Sequence, residues 1–410
     1  MKPLIYLDYQ ATTPLAPEAA AAMRPWIEEH FANPHSAHRG GREAAAAIEV
    51  ARGKVLSALR TLLPAREGLG VGASGASNRT AEVYPPSADP PLTPPLQGGG
   101  SLYFTSGATE AANWALKGAA ARLPQHKRKI VTLATEHACV LDTVEWLGCQ
   151  GFEIEVLPVQ RDGLVDLNLA ADRIDDRTGL VAAMLVNNEV GVIQPVEEIA
   201  ALAHARGALF FCDAVQGLGR VPIPLDSCDM VAVSAHKIHG PKGIGALWVR
   251  DGAGVEPLLH GGGQEGGVRS GTLSPALCVG FGEAARVAVE RAEQDRAHVA
   301  RLWGVARAAT PDWLLNGSVE HRYRGNLNIR SEGVDSARLI SELRQVAFSS
   351  GSACASGSGR PSHVLSALGL NDREARSSIR IGLGRYTHEE ELAEALALIN
   401  EGAARQRSFE

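Results

Sequence analysis

Short apolar runs alternate with helical patterns from about residue 100 to residue 250, and this alternation constrains the fold most strongly. Near-continuous apolar runs are typical of strands that are buried on both faces. The stretches 108–122 and 195–206 read as helices between such strands. The pattern therefore predicts an α/β fold with a mostly parallel sheet between layers of helices. The predicted strands are 101–105, 129–135, 152–158, 180–187, 208–212, 230–235 and 246–250.

The remaining sequence predicts a second, smaller α/β unit. Helices are predicted over 17–30 and 37–63, and one long helix over about 275–300. Strands are expected near 326–330, 346–350 and 378–382. We expect a large domain over residues 14–291 and a small domain formed by residues 1–13 and 292–410.

A proline- and glycine-rich insertion interrupts this pattern at about residues 64–100. Its sequence ends in Pro94-Pro95-Leu96-Gln97-Gly98-Gly99-Gly100, which cannot form a regular helix or strand. Such a composition buries too little apolar surface to offset the entropy of ordering, so we expect a disordered surface insertion. A proline-rich docking segment is the alternative.

The overall composition excludes several classes of protein. Apolar residues make up 45% of the 410, charged residues 21%, and the net charge is −6, so a nucleic-acid partner is not expected. No apolar stretch approaches the ~18 residues that span a membrane, and no signal-like segment is present, which favours a cytoplasmic protein. The six cysteines form no C-x-x-C pair, so we expect reduced thiols and no metal site.

Lys237 is the candidate amine nucleophile among the seven lysines. It directly follows the predicted strand 230–235, and ligands in open α/β sheets bind at the carboxyl ends of strands. A lysine in apolar surroundings there can lose its proton and form a Schiff base with an aldehyde. A lysine that merely caps the strand is the alternative, and Lys242 is a competing candidate.

Asp213 ends the preceding strand, where a carboxylate is costly to bury without a cation. It either caps the next segment or pairs with the protonated pyridine nitrogen of pyridoxal phosphate, with Gln216 on the ring oxygen. The turn 105–110, containing Ala108 and Thr109, joins a strand to a helix start and suits a phosphate group. Further phosphate donors are Ser234 and His236, while His137 either stacks on a planar ring or simply begins a helix.

Cys354 lies in a run of only small residues, Ser349–Gly359, unlike the other cysteines, which mostly neighbour apolar side chains. A thiol on an exposed loop suits a nucleophile that must move between two positions. The alternative is a loop cysteine without a function. Arg380 is placed in a strand-like segment, where its guanidinium suits either a bidentate grip on an α-carboxylate or a structural ion pair.

Together these segments resemble the group I cysteine desulfurases of the class V aminotransferase family. The resemblance follows the family order from residue 4 to about 400 and departs from it mainly at the insertion. The matching stretches are 6–14, 105–110, 136–137, 186–191, 213–216, 234–243, 261–272, 349–354 and 377–380.

The resemblance implies a homodimer of the pyridoxal-phosphate fold type I. In the family pattern, Lys237 carries the cofactor, His137 faces its ring, and Thr272 contacts a phosphate in the other subunit. Asn188 contacts the cofactor and, with Arg380, holds the substrate carboxylate. Cys354 accepts the sulfur. The phosphate and ring contacts fall on Ala108, Thr109, Asp213, Gln216, Ser234 and His236.

The implied reaction converts L-cysteine to L-alanine and leaves a persulfide on Cys354, with Lys237 moving the Cα proton and His137 assisting. The sulfur would pass to an acceptor protein, such as an iron–sulfur scaffold, or serve other thio-cofactors. The alternatives are a related class V lyase or aminotransferase, acting on selenocysteine or cystine, and a non-catalytic sulfur-binding partner.

Overall fold

The computed structural model describes residues 4–61, 99–350 and 362–408, so Cys354 and nearly all of the predicted insertion lie outside the described residues. The strands are β1 (Ile5–Tyr6), β2 (Gly100–Thr105), β3 (Lys129–Leu133), β4 (Glu153–Leu157), β5 (Thr178–Met184), β6 (Leu209–Asp213), β7 (Met230–Ser234), β8 (Gly245–Arg250), β9 (Leu314–Leu315), β10 (Asn326–Arg330), β11 (Val346–Ala347) and β12 (Ser378–Gly382). The helices are α1 (Pro17–Glu28), α2 (Arg39–Arg60), α3 (Ala108–Ala120), α4 (Ala138–Cys149), α5 (Leu167–Arg173), α6 (Val196–Ala205), α7 (Pro275–Glu290), α8 (Ala292–Ala309), α9 (Ser336–Glu342), α10 (His363–Ala367), α11 (Asp372–Arg376) and α12 (Glu389–Arg407).

A seven-stranded sheet in the order β2-β8-β7-β6-β5-β3-β4 forms the centre of the larger part. Strand β8 runs antiparallel to both of its neighbours, whereas the pairs from β7 to β4 are parallel, so the predicted mostly parallel sheet is confirmed. Adjacent strand residues point to opposite faces. Phe210 accordingly belongs to the apolar core on one face, and Phe211 belongs to the core on the other.

A smaller antiparallel sheet in the order β12-β10-β9 has its own core. Leu302 of α8, Ile329, Ile381 and Leu396 of α12 pack together in that core and are almost fully buried. The short strand β1 pairs in parallel with β11, so a segment near residue 5 is fixed beside a segment near residue 346.

The single long helix predicted over about 275–300 is wrong. Helix α7 ends at Glu290, and α8 begins at Ala292 after Arg291 leaves helical geometry at ψ 1°. The two helices serve different cores: Phe281 of α7 packs against the large sheet, and Leu302 of α8 packs in the small-sheet core. Apolar spacing continues across Arg291, so the pattern alone does not reveal the break.

None of the helices in the described ranges combines the length and the apolar character needed to cross a lipid bilayer.

Candidate active site

Several predicted site residues meet at the carboxyl ends of parallel strands in the large sheet. His137 follows β3, Asn188 follows β5, Asp213 ends β6, and Ser234 ends β7. Because parallel strands end at the same edge of a sheet, the fold brings these side chains to one side of the molecule. Lys237 reaches this edge through a single helical turn after β7.

The Lys237 amine is held by the N-terminal segment. Its Nζ donates to the carbonyl oxygens of Gln10 at 2.6 Å and Ala11 at 2.8 Å. The side chain is partly buried. Two carbonyl acceptors fix the position of the amine, so this lysine is anchored inside a cleft rather than capping a strand at the surface.

The Asp213 carboxyl group is buried beside Lys237 and His137. Burial raises its pKa. Three groups oppose that rise: the backbone N–H of Val215, which donates to the carboxylate at 2.9 Å, and the nearby side chains of His137 and Lys237. Within residues 4–61, 99–350 and 362–408, no side chain forms an ion pair with Asp213. A buried acid that forms no ion pair with a side chain matches a ligand that carries a protonated ring nitrogen.

His137 begins helix α4. Its Nδ1 accepts the backbone N–H of Cys139 at 3.2 Å, so the helix-entry role considered from the sequence is present. Burial lowers its pKa, and Asp213 opposes that shift. The neutral ring, with Nδ1 as acceptor, carries its proton on Nε2.

Gln216 belongs to a hydrogen-bond chain that includes Arg220, a residue that sequence reasoning missed. The Gln216 Nε2 donates to the Gln10 carbonyl at 2.9 Å, and its Oε1 accepts from Arg220. Arg220 also donates to the carbonyl of Lys237 at 2.6 Å and lies 5.2 Å from the ring centre of Tyr323. Arg220 therefore fixes the amide orientation of Gln216, and its four-residue spacing from Gln216 was the available signal.

The turn before α3 has the geometry expected of an anion site. Gly107 precedes the helix at φ 160°, and the first helical residues, Ala108 and Thr109, have backbone N–H groups without helical acceptors. Sequence reasoning missed the ion pair that flanks this turn. Glu110 accepts the Ser106 backbone N–H at 2.7 Å and pairs with Arg269 at 2.7 Å.

Three further phosphate candidates differ in exposure. His236 bonds through Nδ1 to the Thr12 hydroxyl at 3.1 Å, and burial together with Lys237 lowers its pKa to about 4. It is therefore neutral at pH 7 and can serve as a hydrogen-bond partner. Thr272 is solvent-exposed on the loop 251–274, and Ser234 is buried at the end of β7.

Arg380 contacts Asn188, the residue that the family resemblance groups with it at the substrate carboxylate, and Asn188 makes this contact through its backbone. Arg380 donates to the Asn188 carbonyl at 3.1 Å, to Asp8 at 2.7 Å and to the Ser349 hydroxyl at 3.2 Å. The structural ion pair considered earlier is thus present. Its Nε is buried and has no hydrogen-bond partner in the described part of the chain, so it is a donor available to an anionic group.

Two acidic residues near the site were also missed from the sequence. Glu136 is fully buried, accepts the Met184 N–H at 2.7 Å, and its pKa is raised well above the ordinary value by burial. Glu189 accepts a hydrogen bond from Ser362, and burial raises its pKa as well. Next to Ser362, His363 donates to the Glu136 carbonyl at 2.9 Å. The described residues on both sides of the segment 351–361 therefore contact this site.

Comparison with protein families gives one match that covers most of the chain. The model of the class V aminotransferases, described as "Aminotransferase class-V", matches residues 99–395. A curated relative, the cysteine desulfurase IscS of Rickettsia bellii, is 41% identical over 404 residues, covering 96% of this chain and 90% of the relative. The chain belongs to the class V aminotransferase family and, within it, to the cysteine desulfurases.

Solved structures agree with this assignment. A NifS-like protein superposes with a TM-score of 0.82 at 32% identity, covering 97% of this chain and 98% of that one. A protein described as SspA in complex with cysteine superposes with a TM-score of 0.75 at 33% identity, covering 93% and 99%. The fold predicted from the sequence and the resemblance to cysteine desulfurases are both confirmed. The family implies pyridoxal phosphate as the cofactor.

Proposed function

We propose that this enzyme removes sulfur from L-cysteine, forming L-alanine and a persulfide on Cys354, in the cytoplasm. The observation that carries the proposal is the grouping of Lys237, Asp213 and His137 at one sheet edge. Bound cysteine in a solved relative at 33% identity supports the choice of substrate.

The residues at this edge fit pyridoxal phosphate. Asp213 would pair with the ring nitrogen, Gln216 would bond the ring oxygen through its Nε2, and His137 would lie against the ring. Ala108, Thr109, Ser234 and His236 would contact the phosphate. When bound, the cofactor supplies an aldehyde that condenses with amines and a ring that withdraws electrons from the substrate Cα.

The chain's own residues would perform the remaining work. Arg380 would bind the substrate carboxylate through its guanidinium, together with Asn188. Lys237 would accept the Cα proton at Nζ, and His137 would assist proton transfer to the reacting substrate. The Cys354 thiolate would attack the substrate sulfur, so that a sulfur–sulfur bond forms as the Cβ–S bond breaks and Cβ is protonated.

The test is incubation with L-cysteine, with measurement of alanine and a mass-spectrometric search for added sulfur. We expect one extra sulfur on the peptide that contains Cys354 and loss of alanine formation in Lys237→Ala. Cys149 is an exposed cysteine on α4 and provides the matched control. Persulfide formation should survive Cys149→Ala and vanish in Cys354→Ala. Undiminished sulfide and alanine release from Cys354→Ala would instead identify a lyase.

We also propose that the enzyme is a homodimer and that Thr272 contacts a phosphate bound by the partner subunit. Phe31 is 97% exposed, and a cavity of about 490 Å³ brings Pro34 and His35 beside Glu265 and Leu273, close in sequence to Thr272. Light scattering should give twice the chain mass, and Phe31→Asp should shift it towards the monomer. Thr272→Ala should weaken cofactor binding without changing the mass.

We propose that the persulfide sulfur passes to an acceptor protein, such as an iron–sulfur scaffold. The support is the family membership and the resemblance of the 349–354 stretch to the mobile cysteine loop of group I enzymes. The test is incubation of the persulfidated enzyme with a purified scaffold protein. Mass spectrometry should then detect the added sulfur on the scaffold protein and no longer on Cys354. Sulfur that stays on Cys354 would contradict the proposal.

A further inference from the structure

A cavity of about 780 Å³ lies between the large-sheet and small-sheet parts and is bordered by Lys237. We call it the Arg220 cavity. Its lining includes the apolar or aromatic side chains Leu167, Val221, Ile223, Val299 and Tyr323. A volume of this order is within the usual range of about 300–1,000 Å³ for small-molecule sites. The cavity is therefore large enough for a compact organic ligand.

The charged side chains of the Arg220 cavity are mostly cationic. The carboxylate of Asp295 is already paired with Arg385 at 2.7 Å, and Glu197 and Glu198 are exposed on α6. Guanidinium groups bind carboxylates with two parallel hydrogen bonds, so this lining favours an anion over a cation or a neutral ligand. The arginines that line it are Arg220, Arg296, Arg324 and Arg385.

Arg220 is the second observation that indicates an anionic ligand. It donates to two neutral acceptors, the Gln216 side chain and the Lys237 carbonyl. Among the residues that the structure describes, no carboxylate forms an ion pair with Arg220, and burial lowers its pKa. A partly buried cation that forms no ion pair is poorly compensated, and a ligand carboxylate would compensate it.

We propose that the Arg220 cavity binds a small amphipathic carboxylate. The carboxylate head pairs with Arg220 and Arg296, and an apolar body the size of a short acyl chain packs against Leu167, Val221 and Ile223. Because Arg220 also bonds Gln216 and the backbone of Lys237, this ligand contacts a residue that orients the candidate active site. The proposal rests on the cavity and its charges and does not depend on the proposed reaction.

The test uses calorimetric titration of the cofactor-loaded enzyme with octanoate and, separately, with octan-1-ol, which has the same chain without the charge. We expect saturable octanoate binding and affinity for octanol at least about tenfold weaker. Arg296→Gln should weaken octanoate binding by about tenfold. Arg301→Gln is the matched control on the same helix, because Arg301 is exposed and paired with Glu389 at 2.8 Å.

A space-filling variant gives an independent result. Val221→Trp should abolish octanoate binding while circular dichroism and alanine formation remain as in the wild-type enzyme. The proposal is overturned if octanoate does not bind, if octanol binds equally well, or if Arg296→Gln and Arg301→Gln have the same affinity. It is also overturned if a correctly folded Val221→Trp enzyme binds octanoate unchanged.

Discussion

Replacement of Glu265 by glutamine tests how the loop 251–274 is fixed to the edge of the large sheet. The Glu265 side chain is 2% exposed, and its two oxygens accept from Arg52 at 2.6 and 2.8 Å. One oxygen also accepts the backbone N–H of Phe104 in β2 at 2.8 Å. The same loop carries Arg269 and Thr272, so this carboxylate links the sheet edge to two residues near the proposed phosphate site.

The expected loss of stability follows from these contacts. Removing one partner of a buried ion pair destabilises a protein by about 3–5 kcal/mol, because the remaining charge is left uncompensated. Glutamine retains an oxygen that can accept from Phe104, and Arg52 keeps its contact with Glu49 at 3.0 Å. We therefore expect Glu265→Gln to lower the free energy of unfolding by an amount near the lower end, about 3 kcal/mol.

The assay is urea unfolding of the purified protein, followed by tryptophan fluorescence, with the midpoint converted to free energy through the slope. The control is Arg39→Gln, which removes an ion pair with Glu43 whose side chains are 88% and 45% exposed. This control should leave the midpoint unchanged within error. If Glu265→Gln unfolds at the same urea concentration as the wild type, the assigned role of the buried carboxylate is refuted.

Three further predictions concern the site and its surroundings. Burial lowers the pKa of His239 to about 3, so the unfolded chain binds the extra proton, and stability should fall as the pH drops from about 6.5 towards 3. Asparagine tolerates the φ of 68° at this position. His239→Asn should therefore flatten the fall in the free energy of unfolding with pH, measured by urea titrations across that range. An unchanged pH dependence would contradict the lowered pKa of His239. Arg380→Lys should raise the KM for L-cysteine by about tenfold in alanine-formation assays, and an unaltered KM would exclude the carboxylate contact. Asp213→Asn should lower alanine formation by roughly 100-fold. The urea midpoint of the cofactor-free protein should not fall, because the substitution removes a desolvated charge. A lower midpoint would mean that Asp213 is structural.

The sequence predicted the parts of the fold that depend on local patterns. Strands buried on both faces, such as β5 and β6, are continuous apolar runs in the sequence. Because these strands alternate with helices along the chain, the pattern indicates a parallel sheet. The antiparallel direction of β8 and the break at Arg291 were not predictable in this way. Both depend on which distant surface each segment packs against, and apolar spacing carries no such information.

The same distinction applies to the candidate site. Lys237, Asp213 and His137 were found because each follows or ends a strand, and strand ends converge. The pair of Glu110 and Arg269 was missed because its members are 159 residues apart in the sequence. Arg380 was predicted as a ligand for a carboxylate, yet its contact with the backbone oxygen of Asn188 is invisible to reasoning from side-chain types.

The contacts that hold Lys237 and Arg380 also determine when the site can form during translation. The lysine amine is fixed by the carbonyls of Gln10 and Ala11, and the neighbouring Asp8 is paired with Arg380, 372 positions later. A ribosome therefore has to release almost the entire polypeptide before the two ends of this arrangement can meet. Nascent chains halted before residue 380 would lack the guanidinium that pairs with Asp8, so the segment that carries the Gln10 and Ala11 carbonyls would be held less firmly.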